Sequence, residues 1–257
     1  MILKQKLAVA FCLGILLVSV GCRSAEQSTA TNIAQATATP VGSPTSQSPF
    51  AALPQDAKVL QTRTLTSPTQ KTYTIQTVED DREEALRAEP ANREAMAMSA
   101  TAADADRFRG TARKAAKLSL ANVPLEKFAD LPQLISSLAP EEVMKNHRPP
   151  ITTTATSNRV TEEKRNVRLK VFLYAASKED DNDFHLILGR APGSTPAVYL
   201  TMELSGPPAN NSAAFAKLKA ARDAFKTFFG AQLPGTSYDF YTPPIPVEVE
   251  GGRYFSM

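Results

Sequence analysis

Tryptophan is absent from the chain, and the only cysteines, Cys12 and Cys22, both fall within its first 22 residues. Each shortage excludes something. Without tryptophan the strongest stacking platform for bases or sugars is missing. With no cysteine beyond position 22, no disulfide or thiolate zinc site can brace the rest, so any core there holds by burial alone. Net charge is scarce too. The formal value is +3, and two of those charges, Lys4 and Lys6, sit in the leader. A near-neutral remainder exerts no strong pull on phosphates, which argues against nucleic acid as a partner. There is no P-loop, no HExxH and no Ser–His–Asp pattern.

What is present begins with "MILKQKLAVAFCLGILLVSVGC". Lysines precede an apolar run from Leu7 to Val20, the charged and apolar regions of a secretory signal. The run is short of the roughly 20 residues a spanning helix needs. "SVGC" at 19–22 resembles a bacterial lipobox, although Ser19 stands where leucine is usual. The resemblance implies cleavage before Cys22, a signal peptide over residues 1–21, and lipid on Cys22. Acyl chains contribute about 0.8 kcal/mol per buried methylene, so several give lasting membrane attachment. Arg23, in place of the aspartate that retains such proteins at the inner membrane, implies the outer membrane of a two-membrane cell. The expected location is the cell envelope, on a periplasmic or surface face.

Residues 22–56 are rich in Ser, Thr, Ala, Gln and Pro and almost uncharged. Such a stretch buries too little to offset chain entropy and reads as a disordered tether. Residues 57–157 read as a hairpin followed by a helical region. "KVLQTRTL" and "KTYTIQTV" alternate around "TSPTQ", and Glu79 to Leu120 has a helical pattern. "FADLPQLISSLAPEEVMKNHRPP" predicts two short helices, opened by Asp130–Pro132 and by Pro140. His147 ends the second and is read as a helix C-terminal cap.

From 158 to 257 the period becomes two. Val167, Leu169, Val171 and Leu173 share one face; so do Phe184, Leu186 and Leu188, and then Val198, Leu200, Met202 and Leu204. A helix over "SAAFAKLKAARDAFKTFFG" follows, with Phe215, Leu218, Ala221 and Phe225 inward, and Lys217, Lys219, Arg222 and Lys226 on a solvated face. Ser212 and Gly230 are its expected caps. "IPVEVEGGRYF" predicts a fourth strand, led in by "YTPPIP" and bent at its glycines. Strand meander, helix, then strand is the order of an OB-like small β-barrel. The expected class is therefore α+β: a C-terminal OB-like barrel or sheet preceded by a helical region.

"SKEDDND" joins the first two strands. Asp and Asn favour turns through local backbone bonds, so a hairpin turn is the preferred reading. Like charges this dense also require a cation, a basic neighbour or a partner. The competing site is a divalent cation held by Asp180, Asp181, Asp183 and His185, with Glu179 in reach; it lacks the glycine and distal glutamate of an EF-hand loop. No other cofactor is expected. If the barrel binds a ligand, its second and third strands present His185, Ile187, Tyr199 and Thr201.

The segments "RNVRLKVFLYAASKEDDNDFHLILG", "FAKLKAARDAFKTFF" and "PPIPVEVEGGRYF" resemble a family of uncharacterised exported bacterial proteins over residues 113–257. No activity carries over. The resemblance implies a further strand beyond Met257 containing Trp-Glu-(Ile/Leu)-His-Pro, so this chain is expected to lack its last strand, or to close with another such as the 58–78 hairpin. The functional expectation is a lipid-anchored, non-enzymatic binding module for an envelope protein or oligosaccharide. The alternative is a metal-dependent hydrolase, a nuclease or phosphodiesterase, built on residues 179–185.

Overall fold

The computed structural model describes residues 9–12, 57–79 and 106–255. Cys22, the tether, and residues 80–105 of the expected helical stretch lie outside them. Eight strands, numbered in chain order, form one sheet: β1 Val9–Cys12, β2 Val59–Thr66, β3 Thr72–Val78, β4 Leu125–Lys127, β5 Asn166–Lys178, β6 Phe184–Gly189, β7 Tyr199–Leu204 and β8 Asp239–Phe255. Their order is β2-β3-β8-β1-β7-β6-β5-β4, with a further pairing between β8 and β5. The pairings are antiparallel except β1–β7 and β4–β5. The helices are α1 Lys114–Lys117, α2 Leu131–Ser136, α3 Glu141–Lys145 and α4 Phe215–Phe229. The class is α+β, a mainly antiparallel sheet with edge strands β2 and β4. Among the described residues no helix is long and apolar enough to cross a membrane.

The period-two faces of β5, β6 and β7 are the inner face of the sheet, and they share one core with Leu65, Tyr73 and Ile75 of the β2–β3 hairpin and Leu131 and Leu134 of α2. α4 closes that face. Phe225 is fully buried, its ring centroid 4.7 Å from Phe184 and 4.6 Å from Phe229. The hairpin expected at 58–78 is β2–β3, and the two helices expected after Phe128 are α2 and α3. Asp130 caps α2, accepting the Leu131 N–H at 2.7 Å.

Four expectations need correction. Arg222 belongs to the buried side of α4. The spacing 218, 222, 225, 229 places it on the apolar stripe, where its guanidinium donates to the Leu204 carbonyl at 2.9 Å and to Asp106 at 2.7 Å. Ser212 does not cap α4; it accepts the Ala214 N–H, and the helix starts a residue later. The fourth strand starts at Asp239 and runs through the prolines. Pro243 and Pro244 are tolerated because β8 leaves β5 there: Leu173 pairs Ile245 and Ala175 pairs Phe240, so Tyr241–Pro244 need no ladder donors toward β5, whereas Pro246 stays in register with Phe172. The hairpin does not supply the final strand, since β3 pairs with residues Asp239–Thr242 at the start of β8. Beside the end of β8 lies β1.

Truncating Phe225 to alanine removes the ring joining α4 to β6. Chemical denaturation is expected to show a loss of about 3–5 kcal/mol, the usual scale for a buried Phe→Ala change.

Candidate functional site

The acidic segment is the β5–β6 turn. Glu179 N–H donates to the Asp183 carbonyl at 2.8 Å and Asn182 N–H to the Glu179 carbonyl at 3.0 Å. Asn182 takes the left-handed conformation, with φ 71°, which asparagine tolerates well. Asp183 stands on the same strand face as His185 and Ile187, opposite the core face of Phe184. In antiparallel register His185 lies beside Glu203 of β7. Two strands thus place Asp183, His185 and Glu203 together.

A lysine covers them. Lys117, at the end of α1, lies 2.8 Å from Glu203, 3.0 Å from Asp183 and 3.4 Å from Asp181. Its ammonium also faces the rings of Phe108 and Tyr254, 5.2 and 5.7 Å from their centroids. Asp183 is fully buried and further accepts from the Gly206 N–H at 3.1 Å and the Ser205 hydroxyl at 3.3 Å. Close approach makes this closure tight. A Cβ on Gly206 would meet the Phe108 backbone nitrogen at 2.4 Å. His185 bridges Glu179 and Glu203 at 3.3 and 3.4 Å from its two ring nitrogens.

Protonation in the cluster is uneven. Burial pushes the Asp183 carboxyl up to about 7, against the pull of Lys117 and with help from the Asp181 and Glu203 charges. Burial also acts to raise Glu203, but the His185 hydrogen bond and Lys117 outweigh it and hold that carboxyl at about 2. For His185 burial acts downward; Glu203 and Glu179 prevail and raise it.

The four candidate metal ligands therefore separate. Asp181 and Asp183 converge on an ammonium, His185 on two glutamates, and Asp180 is exposed. Among the described residues no three of His, Cys, Asp or Glu are grouped to hold a metal ion. The basic neighbour that the crowded acids require is Lys117. Glu203 is missing from the sequence expectation, although strand register, which sets it beside His185, is the signal that finds it. Lys117 was not legible, because nothing local in "RKAAKLSL" shows that it folds back over the sheet.

The proposed ligand residues divide as well. His185 belongs to the cluster, whereas Ile187, Tyr199 and Thr201 are half-buried at the other end of the same face. Tyr199 meets Tyr174 edge to face, with centroids 5.1 Å apart. Gly189 lies beneath both; a Cβ there would come within 2.7 Å of Tyr174 and 2.8 Å of Tyr199. His147 lies far along the chain from this face. Its Nε2 is 3.3 Å from Glu162 and its Nδ1 2.7 Å from the Pro149 carbonyl oxygen, so its partners are not the last carbonyls of α3. A surface depression of about 280 Å³ at the β4–β5 edge is lined by Lys127, Phe128, Arg168, Lys170 and Glu248. Its Arg168 is already paired with Glu250.

Comparison with protein-family models, curated proteins and solved structures finds no match to this chain.

Replacing Lys117 by methionine leaves buried carboxylates uncompensated and is expected to cost about 3–5 kcal/mol in denaturation. The pH profile follows from the signs. Asp183 binds its proton more tightly folded than unfolded, so its contribution is full below its ordinary 3.8 and is lost as pH rises to about 7. His185, also raised, loses its contribution as pH climbs above 6.5. Glu203 is lowered, so its contribution is present above 4.5 and lost toward 2. Thermal unfolding should show greatest stability in mild acid and a decline through neutrality, and His185→Gln should flatten the part of that decline above pH 6.5.

Proposed function

We propose that this is a lipid-anchored cell-envelope protein whose body is a non-enzymatic binding module. In this reading Cys22 carries the lipid, and β5, β6, β7 and β8 make a small OB-like barrel with α4 between its third and last strands. The β5–β8 pairing and the chain order of strands and helix support that architecture. The half-buried part of the β6–β7 face, with Ile187, Tyr199 and Thr201, is the surface offered to an envelope protein or oligosaccharide.

One observation carries the non-enzymatic reading. The acids and imidazole that would serve hydrolysis are spent on one another and on Lys117, whose side chain is 8% exposed. A general base needs reach to a substrate proton, and here the carboxylates reach an internal ammonium instead.

Calorimetric titration of the full chain in detergent with Mg²⁺, Mn²⁺ and Ca²⁺ is expected to show no tight binding. Tight divalent binding that disappears in Asp181→Ala would favour the hydrolase and sink this reading. Anchoring is read separately: Cys22→Ser should move the protein from the membrane to the soluble fraction, and mass spectrometry of the wild type should find acyl chains on Cys22.

A further inference from the structure

The last five residues of β8, Gly251–Phe255, are buried although β5 pairs with β8 only as far as Gly252. On the side where β5 has ended, side chains replace it. The Phe255 N–H donates to Glu163 at 2.7 Å, the Phe255 carbonyl accepts from Arg113 at 2.9 Å, and the Arg253 carbonyl accepts from Arg159. Glu163 is itself gripped by both terminal nitrogens of Arg113, at 2.6 and 2.8 Å. Arg159 lies against Gly252, where a Cβ would come within 3.2 Å of its guanidinium. The end of β8 is therefore held extended by a buried arginine–glutamate clamp.

Backbone groups alternate sides along a strand. With Arg253 and Phe255 turned to the clamp, the N–H and C=O groups of Gly252 and Tyr254 face the other way. There the described chain supplies only β1. Val9–Cys12 runs antiparallel to Gly252–Phe255 and parallel to β7, with Cys12 beside both Gly252 and Glu203. Remove β1, and both a pre-extended strand end and the outer edge of β7 lose their partner. β1 is part of the segment that cleavage before Cys22 would discard.

We infer that the seat between β7 and the end of β8 is a strand-acceptor site, which takes an extended, uncharged apolar segment of another envelope protein once the leader is gone. The inference rests on the anchored-module reading. The seated sequence "VAFC" states the chemistry, and the pairings fix the direction. A second copy is disfavoured as the donor, since every processed copy has lost the same segment and the apolar strands β5–β8 are already paired within their own sheet. Main-chain hydrogen bonds would supply affinity and the alternating side chains specificity.

Hydrogen exchange on two forms of the protein tests this: the uncleaved full chain, retained by Cys22→Ala, and the processed protein extracted from membranes. The amides of Gly252 and Tyr254 should exchange about ten-fold faster or more in the processed form, while that of Phe255, bonded to Glu163, serves as the internal reference. A synthetic peptide spanning Leu7–Gly14 should restore protection, and the same peptide carrying Ala10→Pro should not. Equal exchange in both forms, or no effect of the peptide, overturns the site. Protection of the processed form together with a dimeric mass assigns the seat to a second copy and also overturns it. A mass showing that the leader is retained would defeat the anchoring reading alone. The seat is then probed in the full chain with Ala10→Pro, where faster exchange at Gly252 and Tyr254, reversed by the unmodified peptide, supports it and unchanged exchange refutes it.

Discussion

Lys117 joins three parts of the chain that are distant in sequence: the segment before β4, the β5–β6 turn and the C-terminal end of β7. A buried ammonium is expensive to desolvate, and so are the carboxylates around it. Each is tolerable only because the others are present. Remove the lysine and Asp183 is left with a hydroxyl and one N–H. The cluster thus fixes where residues 106–117 lie across the sheet. It also covers the Glu203 end of the β6–β7 face, while the Tyr199 end is half-buried.

Arginines do the corresponding work at strand ends. With no cysteine in the body, a strand that outruns its neighbour must satisfy its backbone some other way. Arg222 takes the Leu204 carbonyl at the end of β7, Arg113 and Arg159 take the end of β8, and Arg253 reaches the Ala139 carbonyl between α2 and α3 at 2.8 Å. Arg63 of β2 ties the hairpin to Asp239 at the start of β8, at 2.5 Å. A planar, permanently charged fork suits this role better than lysine, because it offers several donors in fixed directions. The basic residues that look like a solvent face in the sequence are in part the fasteners of the interior.

That explains which features could be read in advance. Period-two alternation made β5, β6 and β7 legible, because one face of each had to be apolar. The turn chemistry of Asp and Asn identified the β5–β6 connection, and Asp130 with Pro132 marked the start of α2. Arg222 was misplaced because helical spacing puts it on the apolar stripe while its charge argues for solvent; only the Leu204 carbonyl and Asp106 resolve the conflict. The start of β8 was hidden by prolines, which are unfavourable in a ladder unless the strand changes partner there. Of the site, Asp183, His185 and Glu203 follow from strand register, whereas Lys117 approaches from a segment with no periodicity and depends on long-range folding alone.

β7 is the strand on which these arguments meet. Its inner face lies in the core, its outer face carries Tyr199 and Thr201, and the edge away from β6 is paired by β1. Glu203 touches all but the core: it neighbours His185 on β6, pairs with Cys12 on β1, and holds Lys117. A residue placed so cannot respond to one side independently of the others. A strand seated along the edge fixes the backbone at Glu203, and through its carboxylate the positions of His185 and Lys117. A sheet edge left bare is a liability, since it pairs with whatever strand arrives. The clamp on β8 makes that edge stiff and directional, which narrows what can dock there to a segment of matching polarity and direction.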